Sequence, residues 1–256
     1  MARRGWVTFV RPAMVTLTRR GWYTMSGVSS FIKYGKNLAA PRKLEIFQGN
    51  RILINRILSK RSIDGIYLEN EFINNTDIFN LVPKSKDVNV KALFAFVVSP
   101  LCSAFFRKEN INLNRATFPK INVNTLERFP IPDLSDDVKT ELENLVDTIG
   151  EKTKLFNQHI EKVANLILSK FELEKLTKKL QNWHEMELKD FLKELKKAKV
   201  QLSLSEEAEW MQYFDEQNQN VRELKSEINR IDSEIDQMLY QLYGLTDEEI
   251  AIIENC

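Results

Sequence analysis

Residues 126–132 read LERFPIP and divide the sequence into two parts with different patterns. Before this segment, short apolar runs rich in β-branched and aromatic residues alternate with Gly, Asn, Asp and Pro. After Pro132 there is no further proline, and only two glycines occur, Gly150 and Gly244. Because Gly and Pro interrupt regular structure, the first pattern is typical of a mixed α/β domain and the second of long helices.

Three runs in the first part predict short strands, at residues 51–58 (RILINRIL), 65–72 (GIYLENEF) and 78–82 (IFNLV). Residues 90–106 have the length and apolarity of a buried helix, which Pro100 is expected to end or kink. The apolar run in this helix is too short to cross a bilayer, so no membrane segment is predicted.

The second part contains two long series of apolar residues at three- and four-residue spacing. Ser135 is a predicted N-cap for the first helix. The first series is Val138, Leu142, Leu145, Ile149, Phe156, Ile160, Val163 and Ile167, with Thr153 in the same register. The second series is Val221, Leu224, Ile228, Ile231, Ile235, Met238 and Leu242. This heptad spacing favours two helices that pair antiparallel as a coiled coil, and the core faces of an ordinary helical bundle remain the alternative.

Charge is distributed unevenly along the chain. Residues 1–62 contain thirteen Lys or Arg and one acidic residue, Glu45, whereas residues 131–256 contain sixteen Lys or Arg and twenty-eight Asp or Glu. A strongly basic segment is suited to a polyanion, and an acidic helical segment is suited to solvent or to a protein partner. The composition therefore favours nucleic-acid binding by the N-terminal part of the chain.

The sequence offers little for catalysis. Neither histidine, His159 or His184, lies at metal-ligand spacing from a Cys or another His, so both are interpreted as solvated helix residues. There is no Gly-rich phosphate loop and no Pro-Pro dipeptide of the kind found in adenine-specific DNA methyltransferases. The acid and acid-x-Lys pattern of metal-dependent nucleases fits Asp133 with residues 187–189, but other helical segments fit it equally well, which indicates a chance match. We therefore predict no catalytic residue, no metal site and no cofactor.

Cysteine usage bears on the compartment. Only Cys102 and Cys256 occur, far apart in the sequence, which is not the framework of a disulfide-stabilised secreted domain. We expect a cytoplasmic location.

Residues suited to DNA contact cluster around the first predicted strand. Alternate residues of a strand share a face, so Arg51 and Asn55 fall on one face and Arg56 on the other. Arg and Asn can each form two hydrogen bonds with guanine and adenine edges respectively, whereas Lys mainly neutralises phosphates. A solvated edge strand also uses basic residues, and an Asn pair also suits a turn. The candidate DNA-binding residues are Arg42, Lys43, Arg51, Asn55, Arg56, Lys60, Arg61, Asn74 and Asn75.

Several segments together resemble a known family. Residues 34–42 (YGKNLAAPR) precede the basic strand, Gly65 and Tyr67 form a Gly-x-Tyr strand, and residues 96–100 read FVVSP. LERFPIP is similar to the Pro-Ile-Pro element that precedes the family's helical spacer. Residues 235–250 (IDQMLYQLYGLTDEEI) are similar to the family's closing IDxxVYxLYGLTxEEI. On these residues the chain resembles the C-terminal target-recognition (TaqI-like specificity) region of type II/IIG adenine-specific restriction–modification enzymes, which is similar to type I specificity subunits.

The resemblance implies an α+β fold, in which a mixed α/β DNA target-recognition domain is followed by long helices that form an antiparallel coiled-coil-like spacer. The predicted organisation is a basic, unassigned segment of residues 1–33, a recognition domain of residues 34–132 and a helical spacer of residues 133–256. The family's nuclease and methyltransferase domains have no counterpart here, so the implied function is non-catalytic, sequence-specific recognition of duplex DNA. Duplex DNA is the expected partner, and the helical region is a candidate surface for a methyltransferase subunit or for a second copy in a homodimer.

A protein-interaction module of coiled-coil type is the alternative function. In that case the helices bind other proteins and the basic end is incidental. The alternative predicts stable oligomers and no preference among DNA sequences, whereas target recognition predicts salt-dependent binding with a sequence preference.

Overall fold

A computed structural model describes residues 6–10, 13–14, 25–26, 29–33, 42–56, 63–74, 77–109 and 121–255. The chain divides into two compact units, residues 1–150 with 231–256 and residues 151–230. The divisions fall inside two long helices, whereas the sequence places a domain boundary after residue 132. That boundary stays a prediction.

The N-terminal segment that the sequence left unassigned contains strands. In the first unit, β1 (Trp6–Val10) pairs antiparallel with β4 (Ser29–Lys33), and β2 (Ala13–Met14) pairs antiparallel with β3 (Met25–Ser26). Two nested strand pairs therefore lie within residues 1–33.

A three-stranded antiparallel sheet forms the centre of the first unit. It consists of β5 (Arg51–Asn55), β6 (Gly65–Leu68) and β7 (Ile78–Leu81) in the order β6-β5-β7. All three strands are expected from the sequence. Ile52, on the middle strand, faces Tyr67 on one side and Leu81 on the other.

Both faces of this sheet are covered, which explains the nearly continuous apolar run of β5. Helix α1 (Val90–Val97) packs against β5 and β6, and Ile52 and Ile54 are fully buried. On the opposite face Leu53 and Phe72 form a small apolar core with partly buried neighbours Ile66, Leu68 and Ile78.

Gly65 allows the close approach of sheet and helix. A Cβ at this position would lie 2.9 Å from Cγ1 of Val98 and 3.2 Å from Cγ2 of Ile54. Glycine is therefore required here by space.

The predicted kink at Pro100 is present. Helix α1 ends at Val97, and α2 (Pro100–Glu109) follows at an angle of 58°. Ser99 stabilises the break, because its hydroxyl donates to the carbonyl of Phe96 at 2.7 Å. Among the described residues no single helix is long and apolar enough to cross a membrane, and α1 and α2 reach that length and composition only as a bent pair.

The first unit contains one further short helix before Pro130 and parts of the helical region after Pro132. They are α3 (Val123–Leu126), the beginning of α4 (Asp136–Lys170), the end of α7 (Leu204–Leu242) and α8 (Asp247–Glu254). Ser135 caps α4 as predicted, its hydroxyl accepting from the amide of Val138 at 3.4 Å.

The second unit is helical and has an aromatic core. It contains the rest of α4 and α7 together with α5 (Lys178–Gln181) and α6 (Leu188–Lys197). Trp183, Phe191 and Phe214 are buried together, with ring centroids 4.8 Å apart for Phe191 and Phe214 and 5.9 Å apart for Trp183 and Phe214. His184 is half-buried against Phe156 and Trp183, so the interpretation of this residue as a solvated helix residue is wrong.

Helices α4 and α7 run antiparallel in the second unit. Lys152 of α4 forms an ion pair with Glu227 of α7, and Phe171, directly after α4, contacts Trp210 near the start of α7. The beginning of this part of α4 therefore lies beside the later part of α7, and the end of α4 lies beside the start of α7. Most heptad positions are buried: Leu142, Ile149, Thr153, Phe156, Val163, Ile167, Val221, Ile228, Ile231 and Ile235. The pairing and the apolar stripes match the expected fold class, while a coiled coil in the strict sense stays a prediction.

Candidate nucleic-acid interface

Two of the predicted DNA-binding residues lie at the end of the middle strand. The amide of Asn55 donates to the carbonyl of Asp64 at 2.8 Å, and the amide of Arg56 donates to the carbonyl of Asp77 at 2.8 Å. The carbonyl of Arg56 in turn accepts from the amide of Ile121 at 2.7 Å. Three separate segments thus fix the backbone that carries these two side chains.

The side chain of Arg56 lies over an aromatic ring. Its guanidinium carbon lies 5.6 Å from the centroid of Phe79, which is within the range of a cation–π interaction. Both residues are half-buried. Phe79 is not predicted from the sequence, because its contact with Arg56 depends on the register between β5 and β7, which no local pattern reveals.

Arg51 lies in the protein interior instead. Its side chain is fully buried, and its two terminal nitrogens donate to the carbonyls of Gly49 (2.8 Å), Asn70 (2.8 Å) and Phe72 (3.1 Å). Burial lowers the pKa of Arg51, and the charge of Glu71 opposes that shift. Strand alternation correctly puts Arg51 on the same face as Leu53, but the segment around Phe72 covers that face. Arg51 is therefore a structural residue here, and we leave it out of the proposed DNA-contact set.

The side chain of Asn74 stabilises a turn, which is one of the two roles that the sequence left open for it. It is buried, and its side-chain amide donates to the carbonyl of Ile78 at 2.9 Å, which stabilises the entry into β7. This contact places Asn74 at the same end of the sheet as Asn55, whose strand partner is also Ile78.

The other predicted contacts are only partly described. Lys60 and Arg61 belong to the connection between β5 and β6, and Asn75 lies just before β7; all three are outside the described residues. Arg42 is half-buried and Lys43 is exposed, at the start of a 3-10 turn (Leu44–Phe47) that leads into β5. The structure therefore brings Asn55, Arg56 and Asn74 to one end of the sheet. A DNA-contact role stays a prediction for these residues and for the remaining candidates.

Two exposed lysines that the sequence analysis did not single out follow β7. Lys84 and Lys86 lie in the connection between β7 and α1, directly after Pro83. A Pro-Lys-Ser-Lys sequence between a strand and a helix predicts a solvent-exposed connection, and this pattern could have identified the two lysines as candidate contacts. Lysines in such a connection are suited to phosphate contact.

Lys91 is occupied by acidic partners. Its ammonium group lies 2.7 Å from Asp147 and 3.4 Å from Glu143 on α4, and 5.6 Å from the ring centroid of Tyr67. Burial by itself would lower the pKa of Lys91, but the hydrogen bonds and charges of the two carboxylates raise it. Asn89 adds a hydrogen bond to Glu143 at 2.9 Å. This cluster joins α1 to α4 and stabilises the unit internally.

The two most specific family-like segments contact each other. The hydroxyl of Tyr243 donates to the carbonyl of Pro130, and the Tyr243 ring packs against Phe96 and Phe129. Gly244 follows with φ of 62°, a left-handed conformation that ends α7. The LYGLT sequence thus attaches the end of α7 to the segment that precedes α4.

A groove of about 330 Å³ lies beside β7, between this strand, α3 and the segment after it. Val82, Val123 and Ile131 line it and are exposed apolar residues. The described residues that line it include no Lys or Arg, so this lining is not suited to the DNA backbone.

The described residues offer no metal cluster and no reactive thiol. Among them, no group of three or more His, Cys, Asp or Glu side chains could hold a metal ion. Burial raises the pKa of the Cys102 thiol to about 12, so this thiol remains protonated at neutral pH.

Comparison with known families identifies the first part of the chain. Residues 20–131 match the family model described as the TaqI-like C-terminal specificity domain. This segment is similar to TaqI-like specificity domains, and the similarity points to DNA target recognition in a restriction–modification context.

The helical part matches a different family. Residues 135–239 match a family model described as a domain of unknown function (DUF8810). No curated protein and no solved structure gave a significant match to the chain.

Proposed function

We propose that this chain recognises a specific sequence of duplex DNA for an adenine-specific restriction–modification system. The observation that carries the proposal is the TaqI-like specificity domain at residues 20–131. The chain acts as the specificity component, and catalysis is supplied by a methyltransferase or by a combined methyltransferase–endonuclease of type IIG character. Its substrate is cellular DNA, and its location is the cytoplasm.

The end of the three-stranded sheet supplies groups that suit this role. Asn55 and Arg56 are the side-chain types that form two hydrogen bonds with adenine and guanine edges, and both stand on a backbone fixed by hydrogen bonds to neighbouring segments. Such preorganisation favours specificity, because less conformational entropy is lost when DNA binds.

The uneven charge supplies affinity that does not depend on sequence. The strongly basic residues 1–62 contact phosphates and release counterions from the DNA, so the association constant falls steeply as salt increases. The acidic helical part is repelled by DNA and is the part available to a methyltransferase subunit or to a second copy of the chain.

Selection from a randomised duplex pool tests the proposal. The purified full-length chain is incubated with the pool at low salt, and the retained duplexes are sequenced. The expected result is one enriched motif of several base pairs, with binding that weakens at least tenfold between 50 and 200 mM salt, figures on the order of those for proteins with several phosphate contacts. Retention without a motif, or affinity that is flat with salt, would contradict the proposal.

A protein-interaction module is the second candidate, favoured by the antiparallel pairing of α4 and α7. Substitutions at Ile231 and Ile235 do not test this candidate, because both residues are buried and their replacement destabilises the fold itself. Leu155 and Met211 are 45% and 44% exposed on these helices and can be changed to Ser without opening the core. Light scattering on the wild type and on each variant tests this candidate, which requires a concentration-dependent oligomer that the variants weaken.

A further inference from the structure

Arg56 and Phe79 form a preorganised pair at the end of the sheet. In the register of β5 and β7, Ile54 lies opposite Phe79, so Arg56 is the diagonal neighbour of Phe79 on the same face. The guanidinium carbon stands 5.6 Å from the ring centroid. The guanidinium carbon thus lies over the aromatic ring, and the hydrogen-bond donors of a guanidinium lie in its own plane.

The backbone holds this pair in place. The amide and the carbonyl of Arg56 are both used, by Asp77 and Ile121 respectively, at 2.8 and 2.7 Å. In the described part of the chain, Arg56 forms no ion pair with a carboxylate. Its charge is therefore available to a ligand that approaches this end of the sheet.

Arg51 gives the contrast on the same strand. Its terminal nitrogens donate to three backbone carbonyls and its side chain is fully buried. Arg56 is half-buried, and its guanidinium contacts the ring of Phe79 and not backbone carbonyls. Of these two arginines, only Arg56 is exposed enough to reach a ligand.

We propose that Arg56 reads a guanine of the DNA target, its guanidinium donating two hydrogen bonds to O6 and N7 in the major groove while Phe79 holds the guanidinium plane. This inference rests on the proposed function. A phosphate contact requires only a positive charge, which a flexible lysine supplies, whereas a guanine edge requires two donors in a fixed plane. The contact with Phe79 limits the positions that the guanidinium can take, and this favours base recognition over a flexible phosphate contact.

Arg56→Lys is the decisive variant, because it keeps the charge and removes the planar pair of donors. Each protein is first subjected to selection from the randomised pool. Dissociation constants are then measured for the preferred duplex and for duplexes with each G·C pair replaced by A·T. In the wild type, one such replacement is expected to weaken binding by about 10–100-fold, the usual cost of losing a two-bond Arg–guanine contact. In Arg56→Lys the preference for G·C over A·T at that position is expected to fall to about one- to threefold. The preferences at the other positions and the salt dependence of binding are expected to stay unchanged.

Two further variants separate a base contact from other roles. Phe79→Leu is expected to weaken the preference at the same position to an intermediate value, because the guanidinium remains but is no longer held. Lys43→Met is the charge comparison: it is expected to weaken binding to all sequences alike and to lower the salt slope by about one, as loss of a phosphate contact does. Thermal unfolding of every variant checks that the fold is retained.

The outcomes distinguish this inference from the proposed function. If the wild type selects no motif, the proposed function fails and the inference fails with it. If the wild type selects a motif and Arg56→Lys keeps every base preference, only the inference is overturned. A further variant, Arg56→Met, removes the charge as well. If it lowers the salt slope by about one and leaves the motif intact, Arg56 contacts a phosphate, and again only the inference is overturned.

Discussion

Replacement of Arg51 by methionine is expected to destabilise the protein without changing the DNA sequence it prefers. Methionine is similar in length and can occupy the buried channel, but it cannot donate the hydrogen bonds to Gly49, Asn70 and Phe72. The variant therefore removes polar contacts with little change in volume.

The magnitude follows from the surroundings of the three carbonyls. Hydrogen bonds from a charged group contribute about 1.5–3 kcal/mol each, and a buried acceptor left without a partner costs about 1–3 kcal/mol. Gly49 and Asn70 are exposed, so water can replace the guanidinium at their carbonyls, whereas Phe72 is buried. Removing a desolvated charge offsets part of the loss. We expect a net decrease of about 3 kcal/mol in the free energy of unfolding, which corresponds to roughly 6–12 °C in the midpoint for a chain of this size.

Thermal unfolding followed by circular dichroism measures this change, and selection from the duplex pool well below the midpoint measures specificity. Arg56→Met is the matched control, since it makes the same substitution at a half-buried site and is expected to cost less than about 1 kcal/mol. Arg51→Lys, which keeps a charge and some donors, is expected to fall between Arg51→Met and the wild type. A variant Arg51→Met that melts with the wild type yet loses its motif would refute the structural assignment of Arg51.

Three other substitutions test separate features of the fold. Gly65→Ala brings a Cβ to 2.9 Å from Val98 and is expected to cost about 1–3 kcal/mol by urea unfolding; a neutral result would show that the sheet and helix can separate freely. Tyr243→Phe removes the hydroxyl that donates to the carbonyl of Pro130, and thermal unfolding is expected to show a loss of about 1 kcal/mol in the free energy of unfolding. The DNA motif is expected to stay unchanged, and an altered motif would count against a purely structural contact. Burial lowers the pKa of His184, so the folded state resists a proton that the unfolded chain accepts below about pH 6.5, and stability is expected to fall as the pH decreases from there. Urea unfolding at pH 7.5 and 5.0 checks this, and His184→Gln should reduce the difference between the two values; an undiminished difference would assign it to other groups.

Much of the secondary structure could be predicted because it depends on neighbouring residues. The three strands of the sheet, the kink at Pro100 and the cap at Ser135 all arise from side chains within a few positions of the feature they determine. The specificity-domain family could also be inferred from short motifs, and the match at residues 20–131 confirms that inference.

The candidate site could be predicted only in part. Sequence reasoning placed Arg51, Asn55 and Arg56 on one basic strand, but it could not distinguish a buried arginine from an available one. Burial depends on what covers each face, and Phe72, which covers Arg51, is brought there by tertiary folding. Phe79 was missed because it is far from Arg56 in the sequence and meets it only through strand register.

The sequence by itself determined the helical and extended segments, the separation of a basic part from an acidic part and the relationship to TaqI-like specificity domains. Periodicity, charge and motifs are properties of the chain that hold before any long-range contact forms. Only the tertiary structure decided that Arg51 is buried against backbone carbonyls while Arg56 stays half-buried over Phe79, and that an aromatic core around Trp183 stabilises the second unit. The physical reason is that solvent exposure and hydrogen-bond partners are set by residues distant in sequence, which local patterns do not encode.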